Sequence, residues 1–197
     1  TEPHAKEFFA EKSELIEEPK RISPWRDKFE RLKTQDVDFA FYLKFNTKLQ
    51  SMTPEDFIEI VLNNLNIKQL TIGDDFKFGY QRKGDYEMLC DWGKTNQIVV
   101  EKTPTFSKDN RRCSSSWIRE ALSKDDFELA ADLLGRRYTY SGKVVNGNSL
   151  GRTIGVPTAN LWLPKSNLPI KGVYAVRVKF ETESYQGIAN MGIRPTI

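Results

Sequence analysis

The segment SMTPEDFIEIVLNNLNIKQLTIG (residues 51–73) decides how the first half of this chain is built. Thr53 can cap a helix, Pro54 suits the first helical position, and Asp56 stands three residues after the cap. Phe57, Ile58, Val61, Leu62 and Leu65 then recur at helical spacing and predict a buried stripe. KQLTIG, at the end of the segment, reads as a short strand. Upstream, VDFAFYLKF (37–45) is apolar and aromatic and predicts a buried strand. A helix between two hydrophobic strands is the βαβ pattern, so a parallel sheet is expected here.

Outward from this segment the same grammar holds for a while. Residues 1–24 are charged and broken by Pro3, Pro19 and Pro24, and a helix is predicted at about 25–34 with Phe29 and Leu32 on one face. NQIVVEKTP (96–104) predicts another strand, and two helices are expected over 115–122 and 125–134, with Gly135 as the stop. After Gly135 the period changes to two. YTYSGKVV (138–145) and GVYAVRVKF (172–180) alternate, and Tyr174, Val176, Val178 and Phe180 fall on one face. The expected architecture is therefore an α/β domain over 1–135 followed by an all-β domain over 136–197.

Composition bounds the function classes. The 197 residues are 39% hydrophobic and 29% charged, an ordinary globular balance. A formal net charge of +3 is too small to argue for a nucleic-acid partner. No apolar run approaches the roughly 18 residues of a membrane span, so no membrane partner is expected. His4 is the only histidine, which excludes a multi-histidine metal site or a Ser-His-Asp triad with a histidine elsewhere in the chain. The two cysteines, Cys90 and Cys113, are not in metal-ligand spacing and suit a reducing compartment, so a cytoplasmic location is expected.

Three stretches carry possible chemistry. In CSSSWIRE (113–120), Ser114, Ser115 and Ser116 open a helix whose free N–H groups and dipole attract anions, and Arg119 lies one turn further in. This is a phosphate-site pattern; the same residues also read as an ordinary serine cap with a solvated arginine. In IGDDFKFGYQRKGD (72–85), Asp74 and Asp75 could bind a donor-rich ring or a metal. Phe76 and Phe78 alternate, so one can face the core and the other a planar ligand. The loop follows a strand, where open α/β sheets bind ligands; a solvated acidic turn with two core aromatics is the alternative. In NGNSLGRTIGVPTANLWLP (146–164), glycines let backbone approach phosphate, and the Thr158 hydroxyl and Asn160 carbonyl share a face if extended, as ligands for Mg²⁺ would. The alternative is a glycine-rich hairpin whose polar groups satisfy local backbone. It is not the strand–GxxxxGK[ST]–helix phosphate loop.

Taken together and in order, these motifs resemble the bacterial bifunctional riboflavin kinase/FAD synthetase family over nearly the whole chain. IGDDFKFGYQRKGD resembles the flavin-side loop of the adenylyltransferase module, and CSSSWIRE its S-S-T-x-x-R phosphate motif. LLGRRY and SGKVVNGNSLGRTIGVPTANL resemble the start of the kinase module with its G-x-P-T-A-N signature, and LPIKGVYAV and GIANMGIRPT its following strands. The resemblance implies a Rossmann-like nucleotidyltransferase domain and a small six-stranded riboflavin kinase barrel. It implies ATP-dependent conversion of riboflavin to FMN and of FMN to FAD, with Mg²⁺. By the same resemblance Ser115, Ser116 and Arg119 hold ATP phosphates in adenylyl transfer, with Arg119 catalytic. Asp75 and Phe78 match flavin-side positions, and Pro3 and His4 in TEPHAKEFF resemble a segment near the isoalloxazine ring. Thr158 and Asn160 match catalytic Mg²⁺ and ATP ligands of the kinase, and Gly147, Gly151 and Arg152 its nucleotide-facing loop.

Departures from the family pattern shape further expectations. Ala5 stands where the family usually has a second proline, Ser116 where threonine is usual, and Trp117 where the phosphate motif usually has arginine. The family's G-x-F-D-G-x-H-x-G-H segment and first strand, and the glutamate base beyond R-P-T, have no counterpart in these residues. The resemblance thus implies a portion of a longer protein, and weak turnover by these 197 residues alone. A single-activity relative with one degenerate module, or a flavin- or nucleotide-binding module without catalysis, are the other expectations.

Overall fold

The computed structural model describes residues 1–13, 15–146, 155, 158–163 and 168–192. The chain divides into two compact units, one of Thr1–Glu18 with Phe41–Cys113 and one of Pro19–Ala40 with Ser114–Ile197.

In the first unit, helix α1 (Ala5–Lys12) is capped by His4, and a short helix (Thr47–Ser51) is capped by Asn46. A helical segment follows. It begins as α-helix at Pro54–Phe57, widens to a π-type turn at Ile58–Leu62 and tightens to a 3₁₀ turn at Asn63–Leu65. The Thr53 hydroxyl accepts from the Asp56 N–H at 3.1 Å, as the start signals predict. Ile58 and Leu62 are buried, and Phe57 and Val61 pack against them, but Leu65 faces solvent. The stripe loses its last member because the changing pitch of the helical turns rotates Leu65 off the apolar face.

Strands β1 (Gln69–Ile72) and β2 (Val99–Lys102) run parallel, Gln69 opposite Val99 and Ile72 opposite Lys102. The crossover between them is a helix, Tyr86–Asn96, capped by Asp85. The parallel sheet is as expected, but its strands flank this helix and not the earlier one. Residues 37–45 form no strand, and Phe39 and Phe41 are 80% and 73% exposed. An extended run is stable only where a neighbour takes its backbone bonds. Here the Leu43 carbonyl accepts from Glu2 N–H, and the Phe45 ring packs edge-on against Phe8, but no neighbouring strand among the described residues pairs with the run. The core gathers Ile58, Leu62, Ile72, Phe78 and Leu89. A two-residue hairpin, β3 (Ser107–Lys108) with β4 (Arg111–Arg112), ends the unit.

In the second unit, helix α2 (Trp25–Leu32) precedes a helix pair, α6 (Ser115–Ser123) and α7 (Phe127–Leu134); the three helices of the first unit after α1 are α3, α4 and α5 in chain order. Trp117, Ile118, Ala121, Leu122, Ala130 and Leu133 are buried. Gly135 ends α7 at φ +66°, the left-handed stop the sequence predicts. Strand β5 (Lys143–Val145) pairs antiparallel with β6 (Asn160–Trp162), and β7 (Gly172–Phe180) with β8 (Glu183–Met191). The all-β expectation holds for these four strands. A closed barrel is not shown: among the described residues they form two separate two-stranded sheets, and the sequence reading expected only part of a barrel. The alternation in β7 is real, yet its predicted inner face is covered only at Tyr174 and Val176; Val178 and Phe180 are exposed.

Candidate functional site

The loop leaving the C-terminal end of β1 holds a charged cluster. Arg112 Nη2 lies 2.7 Å from Asp74 Oδ1 and 3.2 Å from Asp75 Oδ1, and the Thr105 hydroxyl donates to the other Asp74 oxygen. The Thr105 bond, then Arg112, hold the Asp74 carboxyl below its ordinary range. Asp74 is thereby committed to the protein. Asp75 projects outward with its side chain 74% exposed, an acceptor available to a ring N–H or other donor. Thr105 and Arg112 are partners that sequence reasoning missed, because they lie 31 and 38 residues from Asp74 and only the fold unites them.

The same loop separates the two phenylalanines. Phe78 is 6% exposed and sits in the core, whereas Phe76 is 39% exposed and stacks on Phe78 with centroids 5.8 Å apart. Backbone bonds between Phe78 and Gly84 close the loop beneath them. Of the two rings, Phe76 is the one with a face open to a planar ligand. Pro3 is half-buried and His4 exposed. The His4 Nδ1 accepts from the Lys6 N–H at 3.2 Å, and the His4 backbone N–H donates to Glu7 Oε2 at 2.9 Å, a reciprocal cap on α1. With Nδ1 accepting, the neutral ring carries its proton on Nε2.

At the start of α6 both sequence readings meet. Ser114 caps the helix by accepting from the Trp117 N–H at 3.2 Å, while Ser115 and Ser116 stand exposed in the first turn. Arg119 is half-buried, and its Nε donates to the Lys20 carbonyl at 2.6 Å. That bond anchors the guanidinium through one nitrogen. Trp117 is turned into the core.

Thr158 and Asn160 are exposed, with Asn160 opening β6 opposite Val145. Gly155, upstream of them, has φ +76°. Gly147, Gly151 and Arg152 lie outside the described residues. The donor set suits Mg²⁺ in kind. A hydroxyl and an amide carbonyl are hard oxygen ligands, and Mg²⁺ bound with phosphates uses few protein ligands and keeps water. Among the described residues no three His, Cys, Asp or Glu side chains gather into a metal site. Cys90 and Cys113 are free thiols. No described helix is long and apolar enough to cross a membrane.

Comparison with known proteins matches these features to two families. Residues 2–117 match the FAD synthetase family and residues 134–197 the riboflavin kinase family. The bifunctional riboflavin kinase/FMN adenylyltransferase of Haemophilus influenzae is 45% identical over the whole chain, which covers 63% of that protein. The enzyme of the same description from Buchnera aphidicola is 42% identical over 90% of the chain, and that from Escherichia coli K12 39% identical over all of it. The chain thus spans about three fifths of the length of these relatives, 63%, 58% and 62% in turn. A solved Streptococcus pneumoniae structure titled as a macrolide-efflux protein shares the fold at a TM-score of 0.72 and 30% identity, over 91% of this chain and 60% of its own. With more than half of its residues matched by one family model, the chain belongs to the FAD synthetase family, and its residues 134–197 match the riboflavin kinase family.

Proposed function

We propose that this chain serves flavin nucleotide synthesis: riboflavin is phosphorylated by ATP to FMN, and FMN is adenylylated by a second ATP to FAD. The observation that carries this reading is the order of the two family matches in one chain, 2–117 then 134–197, as in relatives named for both activities. The same proposal sets the domain boundary at 135/136, a reading supported by Gly135 ending α7 and strand grammar beginning after it. A cytoplasmic location, with flavins and ATP as partners and no nucleic acid, belongs to the same proposal.

Each residue role follows from what its atoms can do. Exposed Ser115 and Ser116 offer hydroxyl and N–H donors at a helix start, and Arg119, held by Lys20, supplies the charge for ATP phosphates. Asp75 accepts from the flavin ring, beside Phe76 and Phe78. Pro3 and His4 border the flavin side. Thr158 and Asn160 would hold Mg²⁺, which when bound neutralises charge on the ATP phosphates. Gly147, Gly151 and Arg152 complete the nucleotide loop of the kinase.

One observation favours a narrower reading, a relative with a weakened adenylyl site: Trp117, where the family motif has arginine, faces the core and leaves that motif one cation poorer. Separate rates for riboflavin to FMN and for FMN to FAD decide between the two. Thr158→Ala is expected to lower FMN formation by about 10²-fold or more and spare FAD formation from FMN; Arg119→Ala is expected to do the reverse. Normal FMN synthesis by Thr158→Ala would reduce Thr158 to a turn residue. FMN synthesis with no FAD formation in the unmutated protein would establish the narrower reading.

A further inference from the structure

Strands β7 and β8 have two unlike faces. Tyr174, Val176, Val178 and Phe180 share the apolar one. Ala175 and Arg177 lie on the other, with Ile188 opposite Ala175 and Gln186 opposite Arg177. Arg137, from the segment after α7, reaches this second face. With Ala175, Arg177, Gln186 and Ile188 it lines an open groove of about 540 Å³. That volume is in the range of sites that take small molecules.

The lining selects its ligand by charge. The Arg137 carbonyl accepts from Arg136 Nη1 at 3.1 Å, which ties down the backbone and leaves the Arg137 side chain uncommitted. Among the described residues neither the Arg137 nor the Arg177 guanidinium has a hydrogen bond or ion pair, and no carboxylate lines the groove. Both guanidiniums can only donate, so what lies against them must accept. A carboxylate answers one of the two charges. A phosphomonoester carries about −1.5 to −2 at pH 7 and answers both, and its oxygens match the guanidinium fork. The groove is also far larger than a phosphate group. Ile188 and Ala175 give the rest of it an apolar surface on a face that is otherwise polar, which suits a flat ring. Gln186 adds an amide that both donates and accepts.

We propose that this groove binds a mononucleotide. Arg137 and Arg177 hold its phosphate, the ring lies on Ile188 and Ala175, and the Gln186 amide bonds to the sugar or the ring edge. None of these residues has a part in the flavin chemistry proposed above, and the site does not rest on that reading.

Titration of the ¹⁵N-labelled full chain with AMP, FMN and inorganic phosphate, at fixed ionic strength, tests the assignment by amide chemical shifts. AMP or FMN is expected to move the amides of Arg177, Gln186 and Ile188 along one saturable curve, whatever either does elsewhere in the chain. Arg137→Gln and Arg177→Gln are each expected to weaken that curve by about tenfold. Ile188→Ser is expected to weaken the nucleotide and leave phosphate unchanged. All three positions are exposed, and circular dichroism confirms the fold of each variant. Arg26→Gln, an exposed arginine on α2, and Thr158→Ala are expected to keep full affinity at the hairpin. The tighter of AMP and FMN identifies the ring, and dependence of either on Arg137 and Arg177 sustains the site. Hairpin amides that neither nucleotide moves overturn it, as does an unchanged curve in the Arg137→Gln/Arg177→Gln double variant. Phosphate binding as tightly as both nucleotides overturns the mononucleotide assignment.

Discussion

The sheet of β1 and β2 and the hairpin of β7 and β8 contrast sharply in how they are covered. In the first, short strands lie beneath helices, and Leu89 of the crossover helix is 1% exposed in a shared apolar cluster. In the second, two nine-residue strands pair along their full length, yet Val173, Val178, Phe180 and Ile188 face outward, Ile188 at 80% exposure. The hairpin has more backbone pairing and less burial. Backbone hydrogen bonds exchange for bonds to water at small net gain, while apolar burial contributes about 25 cal/mol per Å². Stability should therefore follow the covered sheet and not the longer one.

Substitutions can break that comparison, beginning with the largest. Leu89→Ala is expected to cost about 3 kcal/mol through lost burial and the cavity left behind. Ile188→Ala should cost under about 0.5 kcal/mol. Urea unfolding midpoints of the two variants check this, and equal losses would mean that the hairpin face is covered in solution. Gly79→Ala comes next. Gly79 has φ +71°, and a Cβ there would lie 2.6 Å from the Pro54 nitrogen, so strain and clash together should cost about 2 kcal/mol. Gly135 has the same handedness, φ +66°, but open space around it. Gly135→Ala is expected to cost only about 1 kcal/mol, so the difference between the two glycines measures the clash.

The same contrast explains what the sequence could reveal. Periodicity exposes local geometry: Thr53 and Pro54 mark a helix start, Gly135 a helix end, and GVYAVRVKF a strand, and each stands where expected. Periodicity does not reveal what covers a face. VDFAFYLKF has strand composition but pairs with no strand among the described residues; its Leu43 carbonyl accepts from Glu2 N–H. The crossover helix α5 was hidden for the opposite reason. Its buried face pairs Leu89 with Gly93, and a glycine in a helix reads as a breaker. Gly93 is there because a Cβ would meet the Ile98 carbonyl oxygen and a Val100 methyl, both at 2.7 Å, so the helix needs a glycine to lie against the chain entering β2. In the β1 loop, Asp74 and Asp75 are adjacent and conspicuous; Arg112, which binds both, is far along the chain and was not.

The smallest effect expected in the covered region is electrostatic. Asp85 caps α5 by accepting from the Met88 N–H at 3.1 Å and pairs with Lys77 at 3.2 Å. The Met88 bond first, then Lys77, hold its carboxyl below the ordinary value of 3.8. A carboxyl whose folded pKa is depressed contributes stability that is whole above its unfolded value and disappears as pH falls through the folded one. Asp85→Asn keeps a side-chain acceptor for the cap and removes only the charge. The variant should therefore melt slightly below the parent at pH 7, and the two should converge as pH drops from about 4 toward the lowered pKa. Added salt should narrow the pH 7 gap, because Lys77 and Asp85 are both partly solvated. A gap that persists unchanged at pH 3 would show that the asparagine fails as a cap and that geometry, not charge, sets the difference.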